Sequence, residues 1–245
     1  MKKILIIGAC SAIAQETAKL FVKDGNSLFL ADINELGLEI VKKDLLVLNQ
    51  TEIHTSFFDV TDFSKHNELI EKAISSLNGL DLVFIAHGTL PNQEAVQKDV
   101  NLALKEFTIN ATSIISLCTI LANYFEEKKD GCIAVISSVA GDRGRQSNYL
   151  YGSAKGTVSL FLQGMRNRLA KSNVHILTIK PGLVDSPMTA HLPKNFLFAK
   201  PADIAKGIYN AIENKKDVAY LPKFWWLILT ILKLIPESIF KKLSL

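Results

Sequence analysis

The chain has 245 residues, 48% of them hydrophobic and 21% charged, enough for one globular α/β domain with a large core. A net charge of +4 and a pI near 8.8 are too mild to point to nucleic acid; they fit an anionic ligand or a membrane surface better. Cys10, Cys118 and Cys132 lie far apart and the five histidines do not cluster, so neither a disulfide framework nor a metal site is expected, and a reducing, cytoplasmic setting is.

The opening MKKILIIGA carries an apolar run too short for a signal peptide and reads directly into a glycine turn, so Ile4–Ile7 is a first strand. Further strand-like runs follow at Ser27–Ala31, Ile53–Phe58, Leu82–Ala86, Cys132–Ser137 and His175–Ile179. Helical patterns lie between them at Ala14–Lys23, Glu35–Leu48, Lys65–Leu77, Val100–Glu127 and Tyr151–Lys171. This alternation predicts an α/β fold with a doubly wound parallel sheet of Rossmann type, in a single domain over residues 1–222 followed by a C-terminal tail over 223–245. Ligands of such sheets bind beyond the carboxyl ends of the strands. The residues just after each strand therefore carry the functional weight.

After the first strand, IIGACSAIA offers one glycine, Gly8, then small residues. Ser11 is placed to cap the helix, whose free N–H groups over Ala12, Ile13 and Ala14 would face a pyrophosphate. Alanines at 12 and 14 are tolerable only if both are already helical, leaving Gly8 alone to need glycine's freedom. Taken alone, the turn reads equally well as a nucleotide cradle and as a plain strand-to-helix connection. Asp32 ends the second strand, where a carboxylate would accept from a ribose diol and repel a 2′-phosphate. Asp59 and Val60 follow the third strand near the expected adenine, and Asp62 is a candidate cap for the next helix.

The stronger signal is a four-residue constellation. Ser138 closes a strand, Tyr151 and Lys155 are four apart at the start of a helix and share one face, and Asn110 sits in an apolar helical stretch where a polar amide needs a partner. Together they make a proton-transfer site. Tyrosine titrates near pH ~10; a lysine ammonium and a positively charged nicotinamide would lower that by ~3 units, about 4 kcal/mol. Ser138 would hold the substrate oxygen, and Asn110 would order a relay to Lys155.

With these residues the chain resembles the short-chain dehydrogenase/reductases, whose signature is Tyr-x-x-x-Lys with an upstream serine and asparagine, over roughly residues 1 to 220. The resemblance implies a nicotinamide cofactor. Asp32, and Ser11 in place of a basic residue, favour NAD(H), with NADP(H) as the alternative. It further implies that Pro181, Gly182 and Val184 in KPGLVDSPMT line the nicotinamide and that Ser186 contacts its pyrophosphate or carboxamide. Ile85–Gly88, IAHG, stands where the family has Asn-Asn-Ala-Gly and keeps only the glycine; Ala86, His87 and Gly88 are still expected at the cofactor, with His87 read first as a structural histidine. Tyr149 has no lysine four residues on and is set aside. Arg143 and Arg145 read as solvated loop charges, with an anionic part of the substrate as the alternative. A homodimer or homotetramer is implied, paired through the helices at 100–127 and 151–171.

The tail, YLPKFWWLILTILKLIPESIFKKLSL, is not required by that scheme. Its apolar stretch is too short to span a bilayer as a helix, while tryptophans beside lysines fit an interfacial helix on anionic lipid. Peripheral membrane contact is the leading reading; packing on the protein itself or on a neighbouring subunit is the other. The tail also resembles the C-termini of bacterial short-chain reductases of the decaprenylphosphoryl 2-keto-pentose reductase branch, which would make the substrate lipid-linked or otherwise amphiphilic. Apolar Leu192, Phe196, Leu197 and Phe198 before the tail agree with a greasy substrate. A soluble small ketone, sugar or steroid-like, is the runner-up, and a non-catalytic nucleotide-binding regulator the alternative of a different class.

Overall fold

The protein was analysed as a computed structural model, which describes residues 1–243. In chain order its elements are β1 (Lys3–Ile7), α1 (Ala12–Lys23), β2 (Ser27–Asp32), α2 (Glu35–Leu48), β3 (Ile53–Phe57), α3 (His66–Leu77) and β4 (Leu82–Ile85). There follow α4 (Gln93–Val96), α5 (Val100–Phe107), α6 (Ser113–Lys128), β5 (Gly131–Ile136), α7 (Tyr149–Leu169) and β6 (Val174–Pro181). The chain continues through α8 (Pro201–Glu213), β7 (Val218–Leu221), α9 (Phe224–Leu234) and α10 (Glu237–Phe240).

The strands form one seven-stranded sheet in the order β3-β2-β1-β4-β5-β6-β7, every pair parallel. The chain winds outward from β1 in one direction and from β4 in the other, so the switch point lies between those two strands. The expected doubly wound sheet is therefore present. A seventh strand and helix α8 extend it beyond the elements read from sequence: Val218–Leu221 is too short to announce itself and is fixed by pairing with β6.

Both faces of the sheet are covered, which is why its strands read as unbroken apolar runs rather than as alternation. Ile4, Ile6, Leu28 and Leu30 point to the layer of α1, α2 and α8, while Leu5, Ile7 and Phe29 point to that of α3, α6 and α7. All seven are 0–1% exposed, and full burial of each contributes about 1.5–3 kcal/mol.

The helix expected over Val100–Glu127 is interrupted. Between α5 and α6 the chain makes one π-helical turn, Thr108–Thr112. The Ser113 N–H reaches back to Thr108 O, while the Ser113 hydroxyl takes Ile109 O at 2.8 Å. The Asn110 amide claims Glu106 O at 3.0 Å. Side chains that take up carbonyls of the preceding turn compete with the α-helical ladder and widen it here. By length and composition the whole span Val100–Lys128 could cross a membrane, yet Ile114, Leu117, Leu121 and Phe125 are wholly buried in the core.

Candidate active site

Every loop at the carboxyl edge of the central strands opens into one cleft of about 790 Å³. Its wall runs from the β1 turn and Asp32, past Asp59 and Val60, to Ala86–Gly88, Ser138, Tyr151, Lys155, Pro181–Val184 and Ser186.

At the β1 end, Gly8 has φ +81°, and a Cβ there would meet the His87 backbone nitrogen at 2.4 Å. Only glycine fits both demands. Ser11 caps α1, its Oγ accepting from Ala14 N at 3.3 Å. Neither alanine of the turn has positive φ, as the sequence requires. The N–H groups of Ala12 and Ile13 have no acceptor among the described residues and line the cleft, so an anion can be bound there. Ala14 differs from expectation: it is buried in the core, its N–H is spent on Ser11, and it does not line the cleft.

Asp32 lines the cleft with each carboxylate oxygen holding the turn. Oδ2 accepts from Cys10 N at 2.9 Å and Oδ1 from Asn34 N at 3.0 Å, which leaves lone pairs on both for a diol. Burial and the Asp32 charge push the Cys10 thiol up to about 12, so it is no thiolate nucleophile. Asp59 Oδ1 accepts from the backbone N–H and hydroxyl of Thr61, and Asp62 caps the short turn before α3 through Ser64 N.

At the β5 end, Ser138 leaves the strand extended and its Oγ accepts from Ala140 N at 3.0 Å. The turn after it packs directly on α7: a Cβ at Gly141 would lie 2.5 Å from Gly156 N. That close approach sets Ser138 beside Tyr151 and Lys155. Lys155 is 2% exposed, donates to Ile136 O at 3.2 Å and lies 5.7 Å from the centre of the Tyr151 ring. Burial brings its ammonium down to about 8. Burial raises the Tyr151 hydroxyl to about 12, against the smaller opposing effect of Ser138. The direction is opposite to the lowering expected from a nearby ammonium, because desolvation of the phenolate is the largest effect on this hydroxyl.

Asn110 stands behind this group rather than in the wall. Its Oδ1 accepts from Thr89 N at 3.1 Å and its Nδ2 donates to Thr89 Oγ1 at 2.8 Å. Oδ1 faces Lys155 Nζ across Gly88: a Cβ on Gly88 would lie 2.9 Å from the one and 3.3 Å from the other. His87 is buried, bonded through Nε2 to Ser113 Oγ at 2.9 Å, and held neutral by burial, with its pKa down to about 3. Tyr149 points away, 45% exposed.

Residues 2–196 match the short chain dehydrogenase family. The chain belongs to that family. Among relatives of this short-chain dehydrogenase, an uncharacterized oxidoreductase of Mycobacterium tuberculosis is 28% identical over 240 residues, 98% of this chain and 96% of the relative. An uncharacterized oxidoreductase of Staphylococcus aureus is 27% identical over 218 residues, 89% and 93% of the two chains. Among solved structures, the bulky-bulky ketone specific alcohol dehydrogenase from Comamonas testosteroni superposes with a TM-score of 0.81 at 19% identity, covering 97% of this chain and 96% of that one. A short-chain dehydrogenase from Sphingobium yanoikuyae in complex with NADPH gives 0.81 at 18% identity, covering 97% and 98%. These likenesses agree with the fold described above.

The sequence reading missed one wall of the cleft. Trp225, in α9, is 6% exposed and lines it, packed with Val139 and Leu229. Its Nε1 is buried with no acceptor among the described residues. The tail is thus docked on the protein along one face. Arg143 fastens it, donating to Leu232 O and Ile235 O at 2.7 Å each, pairing with Glu237 at 3.0 Å and stacking on the Phe240 ring at 3.8 Å. The pattern FWWL marked an apolar helix, but not which tryptophan turns inward.

Proposed function

We propose that the protein is a nicotinamide-dependent reductase that interconverts a ketone and a secondary alcohol. The observation that carries this is the grouping of Ser138, Tyr151 and Lys155 at one end of a cleft whose other end offers Gly8, the α1 N-terminus and Asp32. The cleft fits a dinucleotide: unsatisfied N–H donors stand where a pyrophosphate would lie, and Asp32 stands one strand away for the adenosine ribose. When bound, the nicotinamide supplies or accepts the hydride.

The side chains do the rest. Ser138 Oγ and the Tyr151 hydroxyl hold the substrate oxygen. A hydroxyl with a pKa near 12 is protonated at neutrality, so Tyr151 is ready to donate to the alkoxide that forms on reduction. Lys155, with its pKa near 8, can replace that proton, and Asn110 lies on its far side, where it can order a water that relays protons to Lys155. Asp32 supports NAD(H) over NADP(H), because its charge would repel a 2′-phosphate. Apolar Leu183, Leu192 and Trp225 on the substrate side support a bulky or amphiphilic ketone. Exposed Val100, Leu104 and Leu160 on α5 and α7 support pairing of subunits through those helices, which sedimentation would check.

The test is NADH oxidation against a panel of ketones, with the Tyr151→Phe variant beside the wild type. Loss of about 100- to 10,000-fold in turnover is expected with nucleotide binding kept. A Tyr151→Phe enzyme as active as the wild type would sink the proposal.

A further inference from the structure

Two loop arginines separated by a single glycine meet different fates. Arg143 is consumed by the tail. Arg145 lines the cleft beside Asn148 and Tyr151, has no carboxylate partner among the described residues, and keeps its Nε buried without an acceptor. Burial alone holds its guanidinium below the usual arginine range, since no opposing charge offsets it. A half-buried cation without a partner is costly unless a ligand supplies the charge.

The start of α7 points the same way. This helix runs for 21 residues, has no acidic residue in its first turn and receives no side-chain cap from Asn148. Its first-turn Leu150 N–H is taken by the neutral Gln93 Oε1 at 3.0 Å, so no carboxylate answers the helix's N-terminal partial charge within one turn of Tyr151. Lys105 stands exposed on the rim of the same end. The carboxylates that line the cleft, Asp32 and Asp59, are at the other end. Asp32 leaves β2, three strand spacings from β5, or about 14 Å.

We propose that the substrate carries an anionic group, a carboxylate or a phosphate, and that Arg145 receives it at the start of α7 while its apolar body lies against Trp225 and Leu192. This rests on the reductase reading of the cleft and adds the charge of the substrate to it. Arg145 is here a specificity residue: it binds the substrate away from the reacting carbonyl.

The experiment is calorimetric titration of the protein, with and without NADH, using octanoate, octyl phosphate and octanol as probes. At least one anion is expected to bind about 10- to 100-fold tighter than octanol, the range of a charge-assisted hydrogen bond. Arg145→Met should erase that preference and leave octanol binding unchanged; Arg145→Lys should keep part of it. The tighter of the two anions names the group. Equal binding of all three probes, no binding of either anion, or a preference that survives in Arg145→Met overturns the proposal. Circular dichroism matching the wild type guards against an unfolded variant. A wild type that binds the anion yet reduces no ketone would refute the reductase reading and leave the anion site standing.

Discussion

The indole of Trp225 fills the space where a side chain on Gly182 would begin: a Cβ at residue 182 would lie 1.9 Å from its Nε1. Gly182 follows β6 and donates to Leu221 O at 3.0 Å, so its backbone is held in place by β7. The tail and the Pro-Gly segment are therefore one packing unit. Gly182→Ala should cost about 1–3 kcal/mol by overpacking, and Trp225→Ala about 3–5 kcal/mol by cavity formation. With the indole gone the added methyl has room, so the double variant should be less destabilised than the sum. Urea unfolding of the four proteins measures this, and additivity within about 0.5 kcal/mol would refute the coupling.

Lys155 gives a prediction about pH. Its pKa falls from 10.5 unfolded to about 8 folded, because burial disfavours the ammonium. Below pH 8 the group is charged in both states and its burial penalty is fully present. Between about 8 and 10.5 the unfolded chain binds more protons than the folded one, so stability rises with pH there. Lys155→Met removes the penalty, up to about 3 kcal/mol less the lost bond to Ile136 O. The variant should melt higher than the wild type at pH 7, and the gain should shrink as pH approaches 10. A Lys155→Met variant that melts lower at pH 7 would contradict the assignment of burial as the dominant effect.

The strands and the proton-transfer group were legible because their signals are local. Apolar runs mark strands buried on both faces, and Ser138, Tyr151 and Lys155 are joined by fixed spacing along β5 and α7. What stayed hidden depends on distant partners. Arg143 and Arg145 look alike in GDRGRQSN, yet one is bound by carbonyls some 90 residues on and the other is left to the cleft. Trp225 and Trp226 are adjacent, and only the packing against Gly182 and Val139 turns the first inward. Asn110 was legible as a buried amide needing a partner, but not the π-helical turn it helps to make.

The cofactor preference can be tested with limited disturbance of the turn. Asp32 holds Cys10 N and Asn34 N, so truncation to alanine would loosen the backbone as well as remove the charge. Asp32→Asn keeps the shape and one of the two acceptors, losing a single turn hydrogen bond. The wild type should show at least about tenfold higher kcat/KM with NADH than with NADPH, a difference of ~1.4 kcal/mol. Asp32→Asn should narrow the gap chiefly by improving NADPH. A wild type that prefers NADPH would remove the argument from Asp32.

The other face of α9 remains open to a partner. Phe224, Leu227, Ile231 and Leu234 recur at three- and four-residue spacing, and all are exposed, opposite the buried Trp225 and Leu229. Lys223 and Lys233 flank them, with Lys241 and Lys242 beyond. An exposed apolar stripe edged by lysines fits the surface of an anionic bilayer. Deleting the tail is a poor test, because it would also strip Trp225 from the cleft. Leu227→Glu with Ile231→Glu changes only the outward face. The wild type should pellet with vesicles containing anionic lipid, less so in high salt. The double variant should bind at least about tenfold more weakly, since two side chains of this size contribute about 3–6 kcal/mol when fully buried. Its turnover of a water-soluble ketone should match the wild type. Undiminished pelleting of the double variant, or none by the wild type, would rule out this face as a membrane contact.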